Sequence, residues 1–170
     1  MRARDIFIFL AGALVIIVAG PAVMLAIAWQ FPSPFLPEDD YVSVLGSLVS
    51  AVGLYFFIWS NQALVKYGKG GAAVIGRVRL MTETKHLVTE GPYALCRNPM
   101  HLSMVLYYCG VGVSLNNLVA MIVPIFVIIF AFVMAVFFDE PRLRRDFGEE
   151  YENWAMQVPR FLPRIRPYNK

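Results

Sequence analysis

Apolar residues gather in four runs, at 6–29, 41–60, 100–115 and 118–138, with polar residues between and after them. A helix rises ~1.5 Å per residue and a hydrocarbon core is ~30 Å thick, so ~20 apolar residues are enough to cross it. The first, second and fourth runs meet that length and the third falls short. Phe31 to Pro37 carries Pro32, Pro34 and Pro37, which cannot continue a helix and predict a stiff connection. Asn116-Asn117 predicts a tight turn, making the third and fourth runs an antiparallel hairpin. Small residues in the second run, Gly46, Ser47, Ser50 and Gly53, predict a face where another helix packs closely, and Gly12, Gly20 and Pro21 suggest close packing in the first. Beyond the fourth run, Leu143, Phe147, Tyr151 and Trp154 recur at helical spacing with charges between them, the pattern of an amphipathic helix lying at a membrane interface. The expected fold is all-α: a multi-pass membrane bundle of four transmembrane helices with a C-terminal interfacial amphipathic helix, in one domain over residues 1–170.

Composition agrees, since 58% of the 170 residues are hydrophobic against ~45–50% in soluble domains. The placement of charge then orients the spans, because cytoplasmic segments collect Lys and Arg. All 15 basic residues lie at the N-terminus, between the second and third runs, or after the fourth. The loop over 30–40 has none and carries Glu38, Asp39 and Asp40. Both termini are therefore expected in the cytoplasm, with polar segments 82–101 and 139–164 meeting on that side of a cell membrane. Arg2 and Arg4 before an apolar run also fit a signal peptide, but the run exceeds the ~7–15 residues of a signal core and reads as a retained span.

Several function classes fall away. The net charge of +3 is accounted for by topology, so nucleic acid is not an expected partner. Cys96 and Cys109 make no disulfide framework, and with His86 and His101 they show no metal-ligand spacing, so no metal is expected. Gly68-Lys69-Gly70-Gly71 lacks the Gly-Lys-Ser/Thr of a phosphate loop, and no Gly-x-Gly-x-x-Gly occurs. A nucleotide-like cofactor would have to be held by membrane helices and their loops.

Chemistry-bearing residues concentrate in two stretches. Gly91-Pro92 stiffens the chain before Tyr93, and Asn98-Pro99 puts a proline in the first turn of the third helix with Asn98 as a plausible cap. The third run is too short to span, so Arg97 and His101 lie below headgroup level, where ionisable residues are candidates for function. The hairpin returns Asp139 and Glu140 to that depth. Two acids, an imidazole, a guanidinium and the Tyr93 ring are thus expected to converge.

Leu87-Val88-Thr89-Glu90-Gly91-Pro92-Tyr93, Arg97-Asn98-Pro99-Met100-His101, Asp139-Glu140-Pro141-Arg142-Leu143, Phe147-Gly148-Glu149-Glu150-Tyr151 and Val158-Pro159-Arg160 together resemble the isoprenylcysteine carboxyl methyltransferase and phospholipid methyltransferase superfamily. The resemblance covers about half of the chain, residues 84–164. It implies an integral membrane methyltransferase using S-adenosylmethionine, with S-adenosylhomocysteine as product, on a lipophilic small molecule or lipid reached from the membrane. By position, His86, Leu87, Val88, Tyr93, Asn98, Pro99, Met100, His101, Asp139 and Glu140 would contact the cofactor, and Arg97 and Glu140 would act in catalysis. The chain departs from the family's Arg-His-Pro-x-Tyr pattern at Asn98 and His101. The isoprenylcysteine enzymes carry an arginine about one turn before the acidic pair, where this chain has Ala135. Losing that countercharge disfavours an anionic acceptor and points to a lipid amine or another lipophilic nucleophile rather than a prenylcysteine carboxylate. An amine would have to lose a proton, which Glu140 or His101 could take. The alternatives are an NADPH-dependent membrane lipid reductase of related fold and a non-enzymatic membrane scaffold.

Overall fold

The structure, a computed structural model, describes residues 3–37, 39–71, 74–75, 78–79, 82 and 84–168. Arg2, Glu38, Arg77 and Lys170, which entered the charge pattern, lie outside them. Long helices dominate: α1 over Ala3–Gln30, α2 over Asp40–Gly68, α3 over Pro99–Ser114 and α4 over Ile122–Ala155. A hairpin of two short strands, β1 (Val74–Ile75) and β2 (Val78–Arg79), pairs antiparallel between α2 and α3. Among the described residues, α1, α2 and α4 are long and apolar enough to cross a membrane. Their outward surfaces are exposed apolar side chains such as Phe7, Leu48, Tyr55 and Phe126, an arrangement that suits lipid rather than water.

The α2–α3 contact is the closest in the bundle, and small residues permit it. A Cβ added at Gly53 would lie 2.5 Å from the Tyr107 backbone nitrogen, and one at Gly110 would lie 2.6 Å from the Gly46 carbonyl oxygen. Ser50 donates to the Tyr107 carbonyl at 3.2 Å across the same seam. Backbone approach of this kind replaces the hydrophobic driving force that helices lack inside lipid.

Three π-helical turns interrupt the helices: Val15–Ala19 in α1, Leu64–Gly68 in α2 and Met134–Asp139 in α4. A π-turn changes the local hydrogen-bond ladder and the direction in which side chains point. In α1 the carbonyls of Ile16 and Ile17 accept bonds from Tyr108 and Tyr107 at 2.9 and 2.8 Å, which fastens α1 to α3. Near the start of α1, Asp5 is buried and accepts from the Thr82 hydroxyl at 2.7 Å.

Asn116 and Asn117 do more than turn the chain between α3 and α4. Asn116 takes the Leu36 N–H at 2.9 Å and returns its amide to the Leu36 carbonyl at 2.9 Å. Asn117 donates to the Phe31 carbonyl at 2.8 Å and accepts from the Ala120 N–H at 2.8 Å. The proline-rich connection is thereby pinned to the α3–α4 turn, giving its unpaired backbone groups partners.

The C-terminal helical stretch is continuous with the fourth apolar run, α4 bending at Gly148, whose φ of 50° suits glycine. Its apolar face packs on protein. Tyr151, Trp154 and Val158 are buried in a cluster with Ala63, Leu87, Val88 and Tyr93, and Leu143 and Phe147 pack on the edge. On the opposite face Arg144 pairs with Glu152.

Candidate functional site

The residues from Thr89 to His101 are positioned by the chain that follows α4. Arg97 donates its backbone N–H to the Pro159 carbonyl at 2.8 Å, and Asn98 donates to the Arg160 carbonyl at 3.0 Å. Further along, the Arg164 N–H reaches the Leu95 carbonyl at 3.0 Å and the Tyr168 N–H reaches the Ala94 carbonyl at 2.9 Å. The tail thus runs along the segment before α3 as a strap. Asn98 occupies the N-cap position of α3, but its side chain makes no cap bond. Its amide donates instead to the Arg160 carbonyl at 3.2 Å, which corrects the expected role of a capping side chain.

Between this strapped segment, α1, α2 and α4 lies a cavity of about 290 Å³. Leu87, Val88, Tyr93, Arg97, Asn98, Met100, His101 and Asp139 line it, so most of the expected site residues do meet around one hollow. His86, Pro99 and Glu140 do not line it. His86 is exposed and Pro99 is buried in the first turn of α3. Glu140 is 5% exposed and turned toward the strap, with its carboxylate held by Arg160 at 2.6 and 2.9 Å and by Arg97 at 3.5 Å. Successive helical residues point ~100° apart, and here that step separates Asp139, on the cavity, from Glu140, on the strap. The π-turn over Met134–Asp139 puts the two ends of that turn, Met134 and Asp139, on the cavity side.

Residues that sequence spacing did not single out complete the wall. Trp154 and Arg142 line the cavity, as do Asn61 and Thr84. Trp154 had the signature of a packing residue on an amphipathic face, and nothing in its spacing distinguishes a ring that packs from one that also presents its N–H. α1 contributes Ile8, Phe9 and Gly12, and Met104 and Phe130 extend the same apolar wall. Met104 lies one turn along α3 from the polar group at its start, so the cavity is polar at one end and apolar deeper in.

The polar end has an unusual electrostatic make-up. Arg142 reaches one Asp139 oxygen at 3.4 Å, and the other lies 3.7 Å from His101 Nε2. Arg97 also touches the Tyr151 hydroxyl at 3.3 Å. Yet Nε of Arg97, Nε of Arg142 and the indole Nε1 of Trp154 are buried with no partner among the described residues. Each such orphan donor costs about 1–3 kcal/mol unless a water or a bound group meets it. Tyr93 is raised well above its ordinary 10.0 by burial and then by the Asp139 charge, so its phenol stays neutral. Burial also pushes the Cys96 thiol up to about 12, which keeps it protonated. The Arg160 guanidinium is raised by its hydrogen bond to Glu140.

The lining offers a carboxylate, Asp139, to a cationic ligand, guanidinium groups, Arg97 and Arg142, to an anionic one, and an apolar wall of Leu87, Val88 and Tyr93 to a flat ring, a set that would suit the charges and adenine of S-adenosylmethionine.

The chain is similar to several known proteins. Residues 41–150 match the family described as phospholipid methyltransferase. A probable protein-S-isoprenylcysteine O-methyltransferase of Oryza sativa subsp. indica is 32% identical over 139 residues, 78% of this chain and 66% of the relative. The protein-S-isoprenylcysteine O-methyltransferase of Mus musculus is 34% identical over 142 residues, 78% of this chain and 46% of the relative. A cobalt-zinc-cadmium resistance protein of Cupriavidus metallidurans is 29% identical over 133 residues, 74% of this chain and 61% of the relative. The chain thus spans 61% and 66% of the first two curated relatives it matches.

Proposed function

Because the chain belongs to the phospholipid methyltransferase family, we propose that it is an S-adenosylmethionine-dependent membrane methyltransferase acting on a lipophilic acceptor. The observation that carries this reading is the cavity itself, with orphan donors of Arg97 and Trp154 and the Asp139 carboxylate at one end and an apolar wall at the other. When bound, the cofactor supplies an electrophilic methyl group on a sulfonium that departs as a neutral thioether. Arg97 and Trp154 would hold its carboxylate, Asn98 and Met100 would border it, and Tyr93 with Leu87 and Val88 would exclude water from the adenine side. Methyl transfer is an in-line displacement, so fixing donor and acceptor in one geometry provides much of the acceleration.

Four membrane passes with both ends cytoplasmic fit the charge distribution, and α3, of 16 residues, spans only ~24 Å at ~1.5 Å per residue. Its start would sit below the inner headgroups, where an acceptor can slide in from the membrane past α1. The acceptor is a lipid amine or another lipophilic nucleophile in preference to a prenylcysteine carboxylate. Ala135 is fully buried and offers no cation to an acceptor carboxylate.

Heat stability of the purified protein tests this. S-Adenosylhomocysteine at 100 times its Kd should add about 2.7 kcal/mol, and NADPH should add nothing. Protection by NADPH alone would replace this reading with the lipid reductase. Protection by neither, with Tyr93→Ala harmless in cells, would leave the scaffold.

A further inference from the structure

Three groups in or beside the cavity, Glu140, Asp139 and His101, have the chemistry to take a proton from an acceptor, and the structure separates them. Both oxygens of Glu140 are engaged by Arg160, and Arg97 approaches one of them as well. A carboxylate so saturated is a poor proton acceptor, and it does not line the cavity. His101 does line it, at the boundary where Arg97 and Asn98 give way to Met104. Its Nε2 faces Asp139 at 3.7 Å, and Nδ1 has no partner among the described residues. Asp139 also lines the cavity, but one of its oxygens accepts from Arg142 at 3.4 Å and the other is turned to His101, so it meets an acceptor through the imidazole.

We propose, on the basis of the methyltransferase reading above, that His101 oriented by Asp139 is the general base of this site, and that the acceptor is a nucleophile that must give up a proton: an amine or a thiol. The acceptor nitrogen or sulfur forms its new bond to the methyl carbon as the carbon–sulfur bond of the donor breaks, the bonding pair going to the donor sulfur. The acceptor's proton passes to the imidazole and leaves later to water. No other reactant is needed. Charge is conserved locally: the sulfonium charge disappears as an imidazolium charge appears, and the Asp139 carboxylate faces a cation before and after. The 3.7 Å gap is beyond a formed hydrogen bond, and catalytic hydrogen bonds are often this long before substrate is bound. The other titratable groups on the cavity wall are Tyr93, a neutral phenol, and the cations Arg97 and Arg142, neither of which can accept a proton. A carboxylate acceptor would leave His101 without a task.

Two measurements decide it. The chain has only two histidines, so imidazole nitrogen NMR in lipid nanodiscs resolves both. Asp139→Asn should move the ring signals of His101 and leave those of His86 in place; unchanged His101 signals overturn the pairing, and this comparison needs no turnover. Methyl transfer is then measured for wild type, His101→Tyr and His101→Gln with a long-chain amine, a long-chain thiol and a prenylcysteine carboxylate. Amine or thiol methylation should fall on the order of 10²-fold or more in both variants, with the helical circular-dichroism spectrum and the His86 ring signals retained as proof of folding. Wild-type rates in the variants, or a wild type that methylates only the carboxylate, overturn the proposal while leaving the methyltransferase reading intact. A wild type that S-adenosylhomocysteine does not protect would defeat that reading instead.

Discussion

Arg160 holds Glu140 through both carboxylate oxygens, at 2.6 and 2.9 Å, and so locks the strap after α4 against the segment that carries Arg97 and Asn98. These contacts tie Glu140 to Arg97 and to the strap. Hydrogen bonds to charged groups contribute about 1.5–3 kcal/mol each when buried, and the 39% exposure of the Arg160 side chain moves this pair toward the lower end. Glu140→Gln should therefore destabilise the protein by about 1–2 kcal/mol. It should also open the strap to protease cleavage near Arg164. An unchanged melting temperature and cleavage pattern would mean that the pair holds nothing in place.

Trp154→Phe keeps the ring and deletes the orphan N–H. If that donor serves a ligand, the variant should be as stable as wild type without ligand, or up to about 1 kcal/mol more stable, because a buried unsatisfied group has gone. Binding of S-adenosylhomocysteine should weaken by roughly five- to tenfold, the loss of one hydrogen bond. Calorimetry on both forms reads the two numbers. A variant that loses stability without losing affinity would make Trp154 a packing residue only.

Gly110 and Gly12 should respond oppositely to the same methyl group. At Gly110 a Cβ would meet the Gly46 carbonyl oxygen at 2.6 Å, whereas nothing lies within 4 Å at Gly12. Gly110→Ala must push α2 from α3 and should cost at least the ~1–3 kcal/mol of an overpacked core. Gly12→Ala should be neutral or gain up to about 1 kcal/mol of helix propensity. Equal effects in unfolding titrations would contradict the packing described for α2 and α3.

High pH should weaken the fold. Burial raises Cys96 from 9.0 to about 12, and Tyr93 is also raised from 10.0, so the unfolded chain releases these protons at lower pH than the folded one. The unfolded state then holds fewer protons above about pH 9, and stability falls with rising pH until the folded groups also ionise. Below about pH 8 neither group contributes a slope. Melting curves from pH 8 to 11 check this, and Cys96→Ala should flatten part of the decline.

The membrane-protein class, the small-residue seam at Gly46 and Gly53 and the meeting of Tyr93, Arg97, His101 and Asp139 were legible before any coordinates. Apolar run length and helical spacing are local properties, and a short turn at Asn116-Asn117 forces the ends of α3 and α4 to one level. The motif order resembling methyltransferases supplied the family, which the match over residues 41–150 then established. Asn98 was legible as the start of α3 but not as a tie to Arg160, since that partner lies 62 positions away.

What the sequence alone determined is therefore which segments leave water and which polar groups lie near one another in depth. Only the tertiary structure decided that Asp139 faces the cavity while Glu140 faces Arg160, that Trp154 brings an unpaired N–H to the wall, and that His86 stays outside. The reason is rotational. Neighbouring side chains on a helix diverge by ~100°, and the π-turn before Glu140 resets that phase by an amount no hydrophobic pattern encodes.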